Sequence, residues 1–158
     1  MNNLTSAIDL TEVSPHDAEA LVDLRITAMR ESLERIGRFD PDRARHRFMN
    51  TFEPAFTRHI ELGHQRVGFV VVKPELQALS IEHLYIHPDH QGKGIGGEVL
   101  RRIFNDADSK GMPTRVGALR GSDSNRFYSS HGFALVEEGE WDLYYLRPAI
   151  EANKQDAV

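Results

Sequence analysis

The segment Gln91-Gly92-Lys93-Gly94-Ile95-Gly96-Gly97 concentrates the chemistry of this sequence. Glycine has no Cβ, so successive backbone N–H groups can converge on one point. At the start of a helix, N–H groups without intrahelical partners add to the dipole and make an anion site, suited to a phosphate or pyrophosphate. The same glycines also suit a tight turn with close packing. A P-loop needs Gly-x-x-x-x-Gly-Lys-Ser/Thr, which the segment lacks. The dinucleotide fingerprint is met literally by Gly92, Gly94 and Gly97. However, His87 to Gln91 separate it from the preceding strand, and the next strand, Arg115 to Arg120, has no acidic residue to hold a ribose. Dinucleotide binding therefore stands as the more remote alternative. His16, His46, His59, His64, His87, His90 and His131 show neither His-x-x-x-His nor His-Glu-x-x-His spacing, so no metal is expected and surface polar roles are. With no cysteine, disulfides, thiolate ligands, Fe–S clusters and a cysteine nucleophile are excluded.

Around this segment the chain alternates between strand and helix patterns. Ile8 to Val13 reads as a half-buried strand by its period of two. Ser14-Pro15-His16-Asp17 then has helix-start chemistry. Val22, Ile26, Met29, Leu33 and Ile36 share one helical face, and Gly37 can end that helix. Asp40-Pro41 opens a second helix with Phe48, Met49 and Phe52 on its apolar face, closed by Pro54. Thr57 to Leu62 and Arg66 to Lys73 flank a Gly63-His64 turn as a hairpin, and Leu79 to Ile86 is a further strand. The clearest helix is Lys93 to Ser109, with Ile95, Val99, Leu100, Ile103, Phe104 and Ala107 as its stripe and Gly111-Met112-Pro113 beyond its end. Arg115 to Leu119 is a strand and Asp123 to Ser130 a short helix. Phe133 to Val136 and Trp141 to Leu146 form a hairpin across Glu138-Gly139. The order β-α-α-β-β-β-α-β-α-β-β predicts a mixed α/β (α+β) sheet with helices packed against it.

The 158 residues suit one domain, and 40% hydrophobic with 27% charged residues is ordinary for a globular protein. Apolar runs such as Val67 to Val72 are far below the ~20 residues that span a bilayer. The N-terminal MNNLTSAIDL lacks a signal-like pattern, so a cytoplasmic chain without membrane partners is expected. A net charge of −5 argues against a nucleic-acid partner. The polar tail from Ala149 to Val158 is expected to fray.

Leu84-Tyr85-Ile86-His87-Pro88-Asp89-His90-Gln91-Gly92-Lys93-Gly94-Ile95-Gly96 resembles the signature of the GNAT superfamily of N-acetyltransferases: a strand, a proline-containing turn, then Gln/Arg-x-x-Gly-x-Gly/Ala at a helix start. Asn125-Arg126-Phe127-Tyr128, followed by Gly132-Phe133, resembles the family's later motif. The element order also matches, so the resemblance covers nearly the whole chain. It implies a GNAT-like, mostly antiparallel sheet of six to seven strands with about four flanking helices, forming one acetyl-CoA-dependent domain over residues 1–148. It further implies an enzyme that moves acetyl from acetyl-CoA to a primary amine of a small molecule or peptide by direct attack in a ternary complex. The contrasting reading is a catalytically idle acetyl-CoA-binding domain with a regulatory or interaction role. Dimerisation is common in the family.

The resemblance also carries roles onto residues. Backbone N–H groups of Gln91, Gly92, Lys93, Gly94, Ile95, Gly96 and Gly97 would hold the cofactor pyrophosphate. The main chain of Leu84, Tyr85 and Ile86 would pair with the pantetheine arm as an added strand does. Tyr128 sits where the family often places the proton donor to the departing thiolate; its ring would otherwise serve the core. Asn125 would bond the cofactor or stabilise the first helical turn. The family's asparagine seven residues before the tyrosine is replaced by Gly121. Glu82 is the first candidate for the base that takes the amine's proton, directly or through water, and His83 the second. Strand alternation puts Glu82, Leu84 and Ile86 on one side and His83 and Tyr85 on the other, though a bulge common in the family would change that parity. Trp141, Tyr144 and Tyr145 are expected in core or edge packing, with Tyr144 or Tyr145 alternatively lining an acceptor cleft. Arg25 and Arg30 read as solvated helix charges or, since the family walls its acceptor site with the first two helices, as anchors for an acidic acceptor.

Overall fold

The computed structural model describes residues 7–151, so most of the tail expected to fray lies outside the described residues. Among the described residues seven strands and four α-helices follow one another as β1 (Ile8–Glu12), α1 (Ala18–Arg35), α2 (Pro41–Thr51), β2 (Thr57–Leu62), β3 (Gln65–Pro74), β4 (Leu79–Ile86), α3 (Ile95–Ser109), β5 (Thr114–Leu119), α4 (Ser124–Ser130), β6 (Ala134–Glu138) and β7 (Asp142–Arg147). The strands form one sheet of order β1-β2-β3-β4-β5-β7-β6. The pairs β1–β2, β2–β3, β5–β7 and β6–β7 are antiparallel. Strand β4 meets β5 in parallel, with Leu79, Ser80 and Ile81 opposite Thr114, Arg115 and Val116. Among the described residues no helix is long and apolar enough to cross a membrane.

The described residues divide into two compact units, 7–72 with 83–96 and 73–82 with 97–151. In the first, Val13, Leu21, Val22, Phe48, Phe69 and Val71 form the core, so α1 and α2 bury their apolar faces on strand β3. Local chemistry sets the helix ends. Ser14 and Asp17 form a reciprocal capping box around a 3-10 turn, Pro15–Asp17, before α1 begins. Gly37, at φ +71°, follows α1, and the Asp40 carboxylate accepts from the Arg43 N–H to cap α2. His59 is a correction to the surface reading. It is fully buried in β2 and pairs with Asp17 at 3.0 Å, because an acidic partner satisfies a ring that would otherwise be costly to bury.

In the second unit the expected stripe of α3 is buried at Val99, Leu100, Ile103 and Ala107, and Phe104 packs against Phe133 with ring centroids 5.5 Å apart. Arg147 is buried beside this stripe. It forks onto Asp108 at 2.9 and 3.1 Å and lies 4.0 Å over the Phe104 ring. The last hairpin turns at Gly139–Trp141, one residue later than expected. Trp141 is 46% exposed there and is not a core residue. Its carbonyl accepts from the Arg120 N–H at 2.7 Å.

Candidate active site

In the first unit the glycine turn stands open. Gln91 to Gly94 are exposed, Gly92 and Gly94 have φ of +77° and +82°, and a Cβ added at Gly92 would meet nothing within 4 Å. Two left-handed residues bracketing Lys93 re-aim successive N–H groups, and Gly94 passes directly into α3 at Ile95. The turn is held from behind. His87 Nδ1 accepts from the Asp89 N–H at 3.1 Å, and Gln91 Nε2 donates to the Ile86 carbonyl at 2.9 Å. The Gln91 side chain thus engages one of the main-chain groups expected to pair with the pantetheine arm.

Strand β4 approaches β3 unusually closely here. A Cβ at Gly68 would lie 2.3 Å from the Tyr85 carbonyl oxygen, so no other residue fits there without moving the backbone. Sequence reasoning passed over Gly68, whose only outward sign is a glycine inside an apolar strand. The His87 N–H donates to the Val67 carbonyl at 2.8 Å and extends this contact.

His83 and Tyr85 do point to one side, as alternation requires. His83 Nδ1 lies 3.2 Å from Tyr85 Oη, and its ring packs 5.5 Å from Phe48 and 6.2 Å from Phe69, centroid to centroid. Arg25 joins them. Its Nε donates to Tyr85 Oη at 3.4 Å and its Nη1 to the Ala44 carbonyl at 2.8 Å. Arg25 is therefore a structural donor tying α1 to α2 and β4, neither a solvated charge nor a free anion anchor. Arg30 pairs with Glu34 at 2.8 Å and lies 4.9 Å over the Phe39 ring.

The second unit holds the other candidates. Glu82 is exposed and accepts from the Ser80 hydroxyl at 3.2 Å, which confirms the period-two face on that part of β4. Tyr128 in α4 is buried, with its ring 5.3 Å from Phe127 and 5.4 Å, edge-on, from Phe133. Both partners come from the later motif, so the motif builds the tyrosine's seat. Asn125 is tied into the fold by its side-chain amide. Its Nδ2 donates to the Leu119 and Ser122 carbonyls at 2.8 and 2.9 Å, and its Oδ1 accepts from Tyr145 Oη at 2.8 Å. With both ends of the amide engaged, it closes the turn between β5 and α4. Tyr145 is buried through that bond, while the half-exposed Tyr144 ring lies against Gly117 and Gly139.

Gly97 has a packing reason of its own, since a Cβ there would come within 3.0 Å of His131 Nε2. His131 Nδ1 meets the Phe127 carbonyl at 2.7 Å, and a carbonyl only accepts, so this ring carries its proton on Nδ1. Glu98 lies in the first turn of α3, where the helix dipole favours an anion. Hydrogen bonds from Arg101, with help from the nearby Arg102, hold its carboxyl below the ordinary value. Among the described residues no group of three or more His, Cys, Asp or Glu side chains is arranged to hold a metal ion.

The family model of the acetyltransferase (GNAT) domain matches residues 56–135, the stretch that carries β4, the glycine turn, α3 and the Tyr128 helix. The chain belongs to the GNAT acetyltransferases. Its relatives include the L-amino acid N-acyltransferase MnaT of Escherichia coli, 30% identical over 92 residues, with 50% of this chain and 54% of that protein covered. The L-methionine sulfoximine/L-methionine sulfone acetyltransferase of Salmonella typhimurium is 32% identical over 86 residues, covering 47% and 50%. This GNAT chain thus spans about half the length of the curated relatives it matches. The fold is shared more widely. An acetyltransferase from Thermus thermophilus superposes with a TM-score of 0.70 at 23% identity, over 90% of this chain and 97% of that one. The PaiA N-acetyltransferase from Thermoplasma acidophilum, in complex with coenzyme A, gives 0.73 at 17% identity, over 89% and 98%. The mixed, mostly antiparallel seven-stranded sheet with four helices is the GNAT fold.

Proposed function

We propose that residues 1–148 act as a single acetyl-CoA-dependent N-acetyltransferase domain whose acceptor is the primary amine of a small molecule, an amino acid foremost. The observation that carries the reading is the exposed glycine turn opening α3, with Gly92 and Gly94 at positive φ and open space over Gly92. The acyltransferase and acetyltransferase names of the two relatives support the reaction, and their amino-acid-type substrates support the acceptor class. Acetyl-CoA would supply a thioester carbonyl open to attack by the amine. Backbone N–H groups of Gln91 to Gly97, with Lys93 beside them, would bind its diphosphate. Glu82, exposed on β4, would take the proton from the ammonium form of the acceptor, whose ordinary pKa near ~10 makes that step necessary at neutral pH. Tyr128 would return a proton to the thiolate. With no cysteine in the chain, no acetyl-cysteine stage is available, and direct transfer is the simplest course. The same absence fits a cytoplasmic enzyme, and no metal is required.

A thermal-shift series with acetyl-CoA beside NAD tests the cofactor. Binding stabilises by RT ln(1 + [L]/Kd), about 2.7 kcal/mol at a hundredfold excess over Kd, so acetyl-CoA should raise Tm and NAD should not. No shift with acetyl-CoA would sink the reading. Thiol release on adding L-amino acids then tests turnover, and binding without turnover across amines and peptides would turn the assignment to an idle cofactor-binding domain.

A further inference from the structure

We propose that Gln91 is a positioning residue whose side-chain amide latches the glycine turn to the end of β4, so that one extended ligand can engage both. The inference deepens the acetyl-CoA reading and rests on it for the ligand concerned. A carbonyl oxygen only accepts, so the amide atom 2.9 Å from the Ile86 oxygen is the donor Nε2, which fixes the orientation of the Gln91 amide. The Gln91 main-chain N–H is turned back onto the Pro88 carbonyl at 3.3 Å. What Gln91 brings to the turn is therefore its side chain, and the amides proposed to meet a diphosphate narrow to Gly92 and beyond.

The two ends of this bond differ in stiffness. On the strand side the chain is held firmly: the His87 N–H donates to the Val67 carbonyl at 2.8 Å, and Gly68 leaves room for the Tyr85 carbonyl against β3. The 3-10 turn Pro88–His90 then closes on itself, with the Asp89 N–H on His87 Nδ1 at 3.1 Å and the His90 N–H on the His87 carbonyl at 2.8 Å. Beyond it Gly92 and Gly94, both at positive φ, give the glycine turn the least backbone rigidity of its own. The Gln91 amide supplies a second connection between that turn and β4 besides the main chain. The bond lies at the surface, where water can take over both its ends, so its loss costs the fold little. What its loss changes is the cost of ordering on binding. The diphosphate would meet the turn and the pantetheine arm would meet β4, and a ligand that reaches across both gains when the two are already in register. A ligand that touches β4 alone has nothing to gain from the latch.

Two acetyl donors test this on the full chain, acetyl-CoA, which carries the diphosphate, and S-acetylpantetheine, which does not. Gln91→Met keeps the length of the side chain and loses the donor. By titration calorimetry it should raise the acetyl-CoA Kd about three- to tenfold, the range of a single neutral hydrogen bond. In steady-state kinetics with an L-amino acid, KM for acetyl-CoA should rise in step while kcat stays within about twofold of the parent, because the latch does not touch the reacting atoms. The kcat/KM with S-acetylpantetheine should not change. An unchanged acetyl-CoA Kd in Gln91→Met overturns the proposal, as do equal losses with the two donors, which a merely loosened fold would give. Nitrogen-15 relaxation reads the latch with no ligand present. Order parameters at Gly92, Lys93 and Gly94 should fall in Gln91→Met while those of α1 keep the parent values, and an unaltered turn overturns the proposal as well. A parent protein that binds no acetyl-CoA would fail the cofactor reading alone, and the relaxation measurement would still decide the latch.

Discussion

The ring of Tyr128 is seated by Phe127 and Phe133, so removing its hydroxyl leaves that ring packing in place. Tyr128→Phe should lower kcat by roughly 10²-fold, the lower end of general acid catalysis, with the acetyl-CoA Kd unchanged by calorimetry. Unchanged turnover would remove the acid role. The glycine turn gives the converse split. At φ +82° a β-branched side chain is strained and would re-shape the turn, so Gly94→Val should raise the acetyl-CoA Kd more than about tenfold. Circular dichroism must show native folding for that comparison, and normal affinity would contradict the diphosphate assignment. The turn itself was legible in the sequence, because closely spaced glycines before an apolar helical stripe mark a chain reversal at a helix start. Gly68 and Arg25 were not. The reason for Gly68 is the carbonyl oxygen of Tyr85, and the reason for Arg25 is a phenol on β4 and a carbonyl on α2, partners that only the fold brings near.

Between β1 and α1 the capping box does more than start a helix. The Asp17 carboxylate accepts from the Ser14 N–H at 2.9 Å and from His59 at 3.0 Å, with Arg66 at 3.3 Å. The Ser14 hydrogen bond first, then His59, holds its pKa down at about 2, below the ordinary 3.8. A depressed carboxylate stabilises the fold fully above its unfolded pKa. That contribution should fade as pH falls from about 4 toward 2. Urea midpoints between pH 6 and 2 should show the loss, and Asp17→Asn should flatten that limb while costing about 2 kcal/mol at pH 6. An identical acid limb in the variant would remove Asp17 from the account. At this scale the sequence was most informative where signals were local. The Asp40 cap, Gly37 after α1 and the stripe of α3 all stand where their chemistry placed them. It was least informative where a partner lies far along the chain. His59 reads as a solvated side chain until Asp17 is set beside it, and Trp141, expected in core or edge packing, is left half-exposed by the last hairpin.

For the molecule as a whole, the net charge of −5 means that a polyanionic cofactor approaches a protein of like sign. Long-range attraction therefore contributes little, and affinity must arise at short range. Lys93 is the one cation within Gln91 to Gly97, and it is exposed. Exposed ion pairs contribute about 0–1 kcal/mol, which corresponds to roughly fivefold in affinity at most. Backbone N–H groups in contact with an anion are screened far less than charges a Debye length of ~10 Å away. The acetyl-CoA Kd should thus change by less than about fivefold between 20 and 500 mM NaCl, and Lys93→Gln should weaken binding by no more than that at the low-salt end. Titration calorimetry across the salt series distinguishes this from a basic binding face. A steep fall in affinity, a hundredfold or more, would mean that side-chain cations hold the cofactor and that the glycine turn only shapes the approach.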